Sequence, residues 1–310
     1  MIKVPTVLIL GAGASKPYGF PTGIELKNAI IDRLKDRTVE INWVEDLDDN
    51  DHVQEFVRKL NGSTRLSIDS FLNYHKDYEE IGKKAIADII STRENRDKLL
   101  CPTDDNWYSY LAEFLCNCDF DDISDNKIGI ISYNYDRSLE SFLYNAIRSN
   151  YKEGESNKEC AAKIQEIPII HMYGRLDPLP WEYLNGRKYG EPCIGDDIND
   201  ISKSIRLIQD ATKEGIPKQA DELIKDSKMV YFLGLDLRRK ENIELLDLKN
   251  LLHKSVYGSA YGLEMSEIRL IERHINRYSA YANKQYRDSY RSTIKPEKSL
   301  SMIRTYGAFR

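Results

Sequence analysis

The stretch Thr6-Val7-Leu8-Ile9-Leu10-Gly11-Ala12-Gly13-Ala14-Ser15 constrains this chain more than any other. A run of apolar and β-branched residues stops at two glycines that flank one alanine. Gly19 and Pro21 follow, and beyond them Leu26, Ile30 and Leu34 recur at helical spacing, with Thr22 placed to cap the helix. That order predicts a buried strand, a tight glycine turn, a loop and a helix, the opening of a dinucleotide site. Gly11 and Gly13 carry no Cβ and tolerate φ > 0, so backbone there can approach a pyrophosphate closely. The first turn of a helix adds unpaired N–H groups that favour phosphate. The glycine spacing departs from the usual fingerprint: Ala14, Ser15 and Lys16 follow the second glycine, and the next glycine is Gly19.

At 310 residues the chain has room for one large α/β domain or for a nucleotide domain with a helical insertion. Its formal net charge of −5 gives no basic excess that would draw it to nucleic acid. The first strand starts almost at once, without a signal-peptide pattern, and no apolar run is long enough to span a bilayer. A soluble, cytoplasmic protein is expected. The five cysteines, Cys101, Cys116, Cys118, Cys160 and Cys193, contain no C-x-x-C pair. They read as reduced thiols, and no metal site is expected.

Further strand signals are Lys127-Ile-Gly-Ile-Ile-Ser132, Ile167-Pro-Ile-Ile-His171-Met172 and Met229-Val-Tyr-Phe-Leu233. Helical patterns separate them, which predicts an α/β fold: a Rossmann-like parallel sheet with helices on both faces. Residues 38–120 read as a helical insertion. Within it, the acidic stretch 38–52, with Asp46, Asp48, Asp49 and Asp51, reads as a solvated loop rather than a metal site.

In an open parallel sheet, ligands bind beyond the carboxyl ends of the strands. Each strand here ends in distinctive residues: Gly-Ala-Gly-Ala-Ser, Asn134-Tyr-Asp136, His171-Met-Tyr-Gly174, and Gly234-Leu-Asp236. Singly, these are turn chemistry or a hydrogen-bonded histidine. Gathered on one rim, they point to a site.

The combination resembles the sirtuin-like NAD-hydrolase domains of bacterial antiphage defence systems. GAGASKPYGFP at residues 11–21 is similar to that family's glycine segment, Asn134-Tyr135-Asp136 to its Asn-Tyr-Asp, and His171 with Gly174 to its His-x-x-Gly. Gly234 and Leu237 are similar to its late Gly-x-x-Leu, so the likeness runs from residue 6 to about 240. It implies a domain over residues 1–260 that takes NAD as substrate and cleaves it to nicotinamide and ADP-ribose. Asn134 would position water and the nicotinamide ribose, and Asp136 would accept from the carboxamide or hold the local turn. His171 would be the general base, a role worth about 10²–10⁴-fold in rate. Gly11, Ala12, Gly13 and Ser15 would hold the pyrophosphate. Phe20, Pro21 and Gly174 would complete the contacts, with Gly234 and Asp236 toward the adenosine.

The absence of C-x-x-C, and the Thr22-Gly23-Ile24 that follows Pro21, argue against a zinc-module deacylase. A hydride-transfer dehydrogenase would want the standard glycine spacing. A non-catalytic NAD or ADP-ribose-binding module that regulates a partner is the alternative from a different class.

Residues 261–310 read as a helical extension rich in basic and tyrosine residues. From residue 265 on, it holds ten Lys or Arg against four Asp or Glu, interleaved with Tyr278, Tyr281, Tyr286, Tyr290 and Tyr306. Arg269, Arg273 and Arg277 share one helix face. Such a surface suits a protein interface better than nucleic acid. Unrestrained NAD hydrolysis would harm the host, so gating by homo-oligomer assembly or by a separately encoded partner, such as a helicase-type ATPase, is expected.

Overall fold

The computed structural model of the chain describes residues 1–36, 42–45, 50–101, 105–151, 156–193, 197–239, 242–243, 245–281 and 292–309. Its centre is a six-stranded parallel sheet: β1 (Thr6–Leu10), β2 (Ile128–Ser132), β3 (Ile169–His171), β4 (Met229–Leu233), β5 (Ser255–Ser259) and β6 (Thr293–Lys295), in the spatial order β3-β2-β1-β4-β5-β6. β1 lies between β2 and β4, with Thr6 opposite both Ile128 and Met229. Successive side chains of a strand point to opposite faces. All five residues of β1 and of β2 are buried, so layers cover both faces of the sheet. The order reverses direction at β1, which is where open α/β sheets form their ligand crevice. The fold is therefore α/β and Rossmann-like, as the strand pattern predicts.

A short helix, α1 (Ala12–Ser15), follows β1, and then comes α2 (Gly23–Lys35). Thr22 caps α2: its backbone N–H donates to Glu25 Oε2 at 2.8 Å, and its hydroxyl to the same oxygen at 2.8 Å. Leu26, Ile30, Ile31 and Leu34 form the buried face of α2. Helices fill most of the path from α2 to β2, among them Asn50–Gly62, Glu79–Arg93 and Trp107–Leu115. This helical layer packs onto the glycine segment. Trp107 Nε1 donates to the Ala14 carbonyl at 2.8 Å, and Tyr18 stacks on Tyr108 with ring centres 3.7 Å apart. The acidic stretch 38–52 is not wholly a loop, because Asn42–Glu45 is helical and Asp51 lies in the Asn50–Gly62 helix. Asp46, Asp48 and Asp49 lie outside the described residues.

β2 leads into α3 (Ser138–Asn150), and β5 into α4 (Met265–Tyr281). Ile268, Ile271 and Ile275 face the core from α4, while Arg269 and Arg273 are exposed, as the helical spacing predicts. Tyr286 and Tyr290, and the side chains of Arg277, Tyr278 and Tyr281, lie outside the described residues. In one respect the C-terminal segment differs from a peripheral helical extension: it supplies β6, which pairs with β5, Tyr257 opposite Thr293. Ala308 and Phe309 are also buried, at 0% and 1% exposed, and the Tyr306 carbonyl accepts from Tyr231 on β4 at 3.0 Å. Residues beyond 260 thus complete the sheet. No helix among the described residues is long and apolar enough to cross a membrane.

Candidate functional site

The carboxyl ends of β1, β2 and β4 meet at the glycine segment. Gly11 N–H donates to the Leu233 carbonyl and Gly13 N–H to the Gly234 carbonyl, both at 2.9 Å, so the loops after β1 and β4 are joined backbone to backbone. A Cβ on Gly11 would stand 2.4 Å from Leu235 Cα, and one on Gly234 would stand 2.1 Å from Ala14 N. Gly234 also has φ +61, a left-handed conformation that favours glycine. Gly11 has φ −110, so its requirement for glycine is close approach and not backbone handedness. The glycine spacing legible in the sequence therefore reports first on the packing of two loops. Of the four residues expected to hold a pyrophosphate, Gly11 and Gly13 spend their amides within the protein.

Asn134, 7% exposed, sits where β2 ends. Its Nδ2 donates to the Gly11 carbonyl at 3.1 Å and to Ser15 Oγ at 2.9 Å. A carbonyl only accepts, so these bonds fix which end of the amide is nitrogen. The remaining end, Oδ1, is buried and has no hydrogen-bond partner among the described residues. Asp136 holds the turn into α3: its Oδ1 accepts from Ser138 N–H at 3.0 Å and from the Ser138 hydroxyl. The Ser138 hydroxyl in turn meets the Tyr108 hydroxyl at 2.8 Å. Burial pushes the Asp136 carboxyl above its ordinary range, against the bonds it accepts from Ser138 and Ser15. Ser15, Asn134, Asp136 and Tyr108 form one polar network beneath the rim.

His171 closes β3. Its Nε2 lies 2.7 Å from Glu140 Oε1, and its Nδ1 3.1 Å from the Asn134 carbonyl oxygen. Both ring nitrogens face oxygen acceptors, so accepting a proton from water or a ribose hydroxyl requires one of these contacts to open. Glu140, on α3, also receives Arg175 NH1 at 3.2 Å. Burial opposes its ionisation, yet His171 and Arg175 together hold its carboxyl down at about 2. Because this is below the usual 4.5, the pair contributes stability above about pH 4.5, lost as the pH falls toward 2. At about 1.4 kcal/mol per unit, the contribution is on the order of 3 kcal/mol. Denaturant titrations of wild type and Glu140→Gln across this range are expected to converge as the solution is acidified, and a constant gap would exclude the linkage.

The remaining expected contacts are Phe20, Pro21, Ala12, Gly174 and Asp236. Phe20 is 3% exposed and belongs to the core, and Pro21 is half-buried. Ala12 is half-buried at the start of α1. Gly174 turns with φ +67 and bridges to Ile205, where a Cβ would meet the Ser204 carbonyl oxygen. Asp236 is engaged by Arg238, whose Nε and NH2 reach its two carboxylate oxygens at 2.9 and 3.1 Å.

Several polar partners in this region carry no signal in the sequence. Glu140 reads as one more helix residue, and Arg175 as part of a loop. Tyr135 lies inside the Asn-Tyr-Asp motif, yet its partner Asp69 comes from the helical layer, where it accepts the tyrosine hydroxyl. Burial pushes the Asp69 carboxyl up. No protein-family model matches the chain, and no curated protein matches it significantly.

Proposed function

We propose that the chain is an NAD⁺ glycohydrolase that cleaves NAD⁺ to nicotinamide and ADP-ribose. The observation that carries this reading is Asn134 Oδ1, a buried acceptor without a partner among the described residues, at the carboxyl rim of a parallel sheet. An unpaired buried polar atom costs about 1–3 kcal/mol, and a bound water or hydroxyl relieves that cost. In the reaction, the C–N bond between nicotinamide and ribose breaks, and nicotinamide leaves with the electron pair. Water adds to the ribose carbon and releases a proton. Asn134 Oδ1 would accept from that water or from a ribose hydroxyl, which orients the oxygen for attack. His171, released from Glu140 or from the Asn134 carbonyl, would take the proton.

The resemblance in the glycine, Asn-Tyr-Asp and His-x-x-Gly segments supports the same chemistry. By that resemblance, the enzyme works in the cytoplasm, depletes NAD during abortive antiphage defence, and is gated by homo-oligomer assembly or by a separately encoded partner such as a helicase-type ATPase. One observation favours a second reading, a non-catalytic NAD or ADP-ribose-binding module: both nitrogens of His171 are engaged. Incubation with NAD⁺, alone and with the products of neighbouring genes, followed by chromatography, separates the two. The hydrolase releases nicotinamide. Binding without release would establish the module instead.

A further inference from the structure

If the glycine segment spends its Gly11 and Gly13 amides on the β4 loop, a bound dinucleotide needs another partner for its charge. Two arginines stand side by side after β4, and their surroundings differ. Arg238 is exposed and paired with both Asp236 and Glu267. Arg239 is half-buried, and among the described residues no carboxylate lies within ion-pair distance of it. Its backbone is tied to the rim: Arg239 N–H donates to the Asp236 carbonyl at 3.3 Å, and its own carbonyl accepts from Asn242 at 3.2 Å. Asn242 in turn holds the β2 end, since its carbonyl accepts from the Tyr133 hydroxyl at 2.7 Å.

The guanidinium reaches away from its own loop to the helical layer. NH2 donates to Ser67 Oγ at 2.5 Å, and Ser67 is fully buried. NH1 comes to lie 3.9 Å from where a Cβ on Gly23, the first residue of α2, would stand. Asp69 is the neighbouring carboxylate. It feels the charge of Arg239 but stays beyond ion-pair distance, and its hydrogen bonds come from the hydroxyls of Tyr135 and Ser67. A guanidinium that is partly withdrawn from water, pinned at one nitrogen and beyond ion-pair distance of every described carboxylate is poised for an anion.

We propose that Arg239 receives the diphosphate of the bound dinucleotide, a role the resemblance assigns to Gly11, Ala12, Gly13 and Ser15. The assignment rests on the NAD reading above, and the test keeps the two apart. ADP-ribose and adenosine, which lacks phosphate, are titrated calorimetrically into wild-type protein and Arg239→Gln, with thermal melting as the check on folding. The expected result is a loss of about ten- to a hundredfold in ADP-ribose affinity, the scale of a charge-assisted hydrogen bond, with adenosine unchanged. Wild-type protein should also bind ADP-ribose more weakly as salt is raised while adenosine binding stays level, a readout that does not depend on the variant folding. Equal ADP-ribose affinity in Arg239→Gln, equal loss of both ligands, or a flat salt profile in wild type overturns the assignment. Wild-type protein that binds neither ligand overturns the dinucleotide reading, and this assignment with it.

Discussion

Asn134→Ala is expected to lower nicotinamide release by about a hundredfold or more while leaving a folded chain. The substitution removes Oδ1, the acceptor proposed to orient water or a ribose hydroxyl. It also removes the Nδ2 bonds to the Gly11 carbonyl and Ser15 Oγ. Those losses cost about 1–3 kcal/mol of stability, which a chain of this size tolerates. His171→Ala should lose release to a similar degree. Its fold should survive, because Glu140 keeps Arg175 at 3.2 Å as a counter-charge. Chromatography of products beside a thermal melt checks both variants. Full turnover by both would remove Asn134 and His171 from the chemistry, whatever else the chain binds.

The second large effect is on stability. Arg137, next to the Asn-Tyr-Asp motif, is fully buried and bidentate to Glu94, with Nε to Oε1 at 2.6 Å and NH2 to Oε2 at 3.0 Å. Its remaining donors go to the carbonyls of Asp177, Pro178 and Lys188. Glu94 also receives Arg187 NH1 at 2.9 Å and the Gly190 amide at 3.1 Å. This cluster ties the helical layer, the start of α3 and the loop after β3 into one piece. Glu94→Ala leaves the buried guanidinium with carbonyl partners and with Asp177, whose Oδ2 lies 3.5 Å from NH1 but is shared with Arg187, and should cost about 3 kcal/mol. Arg137→Ala should cost less, because Arg187 still neutralises Glu94. Denaturant midpoints measure both. The reverse order, or a cost under about 1 kcal/mol for Glu94→Ala, would show that the buried charges are compensated otherwise.

How much of this was legible in the residues depended on local pattern. β1, β2 and β4 are nearly unbroken apolar runs, so strand and burial could be read together. β5 and β6, Ser-Val-Tyr-Gly-Ser and Thr-Ile-Lys, are too short and mixed to stand out, and they become strands by pairing with β4 and with each other. This is why the C-terminal segment reads as an appendage although it completes the sheet. Thr22 announces its helix start correctly because capping is local: its partner, Glu25, is three residues on.

At the site, the sequence alone determined which residues arrive at the rim, because a parallel sheet delivers the carboxyl end of every strand to the same edge. Gly11, Asn134, Asp136, His171 and Gly234 follow from strand ends and turn chemistry. Only the tertiary structure decided what each one touches. Gly11 and Gly13 meet the loop after β4, His171 finds Glu140 on α3, and Arg239 reaches Ser67 in the helical layer. These pairings join positions far apart in the chain, so no spacing encodes them. They are set by how the layers close over the sheet, and that closure leaves Asn134 Oδ1 buried without a partner among the described residues.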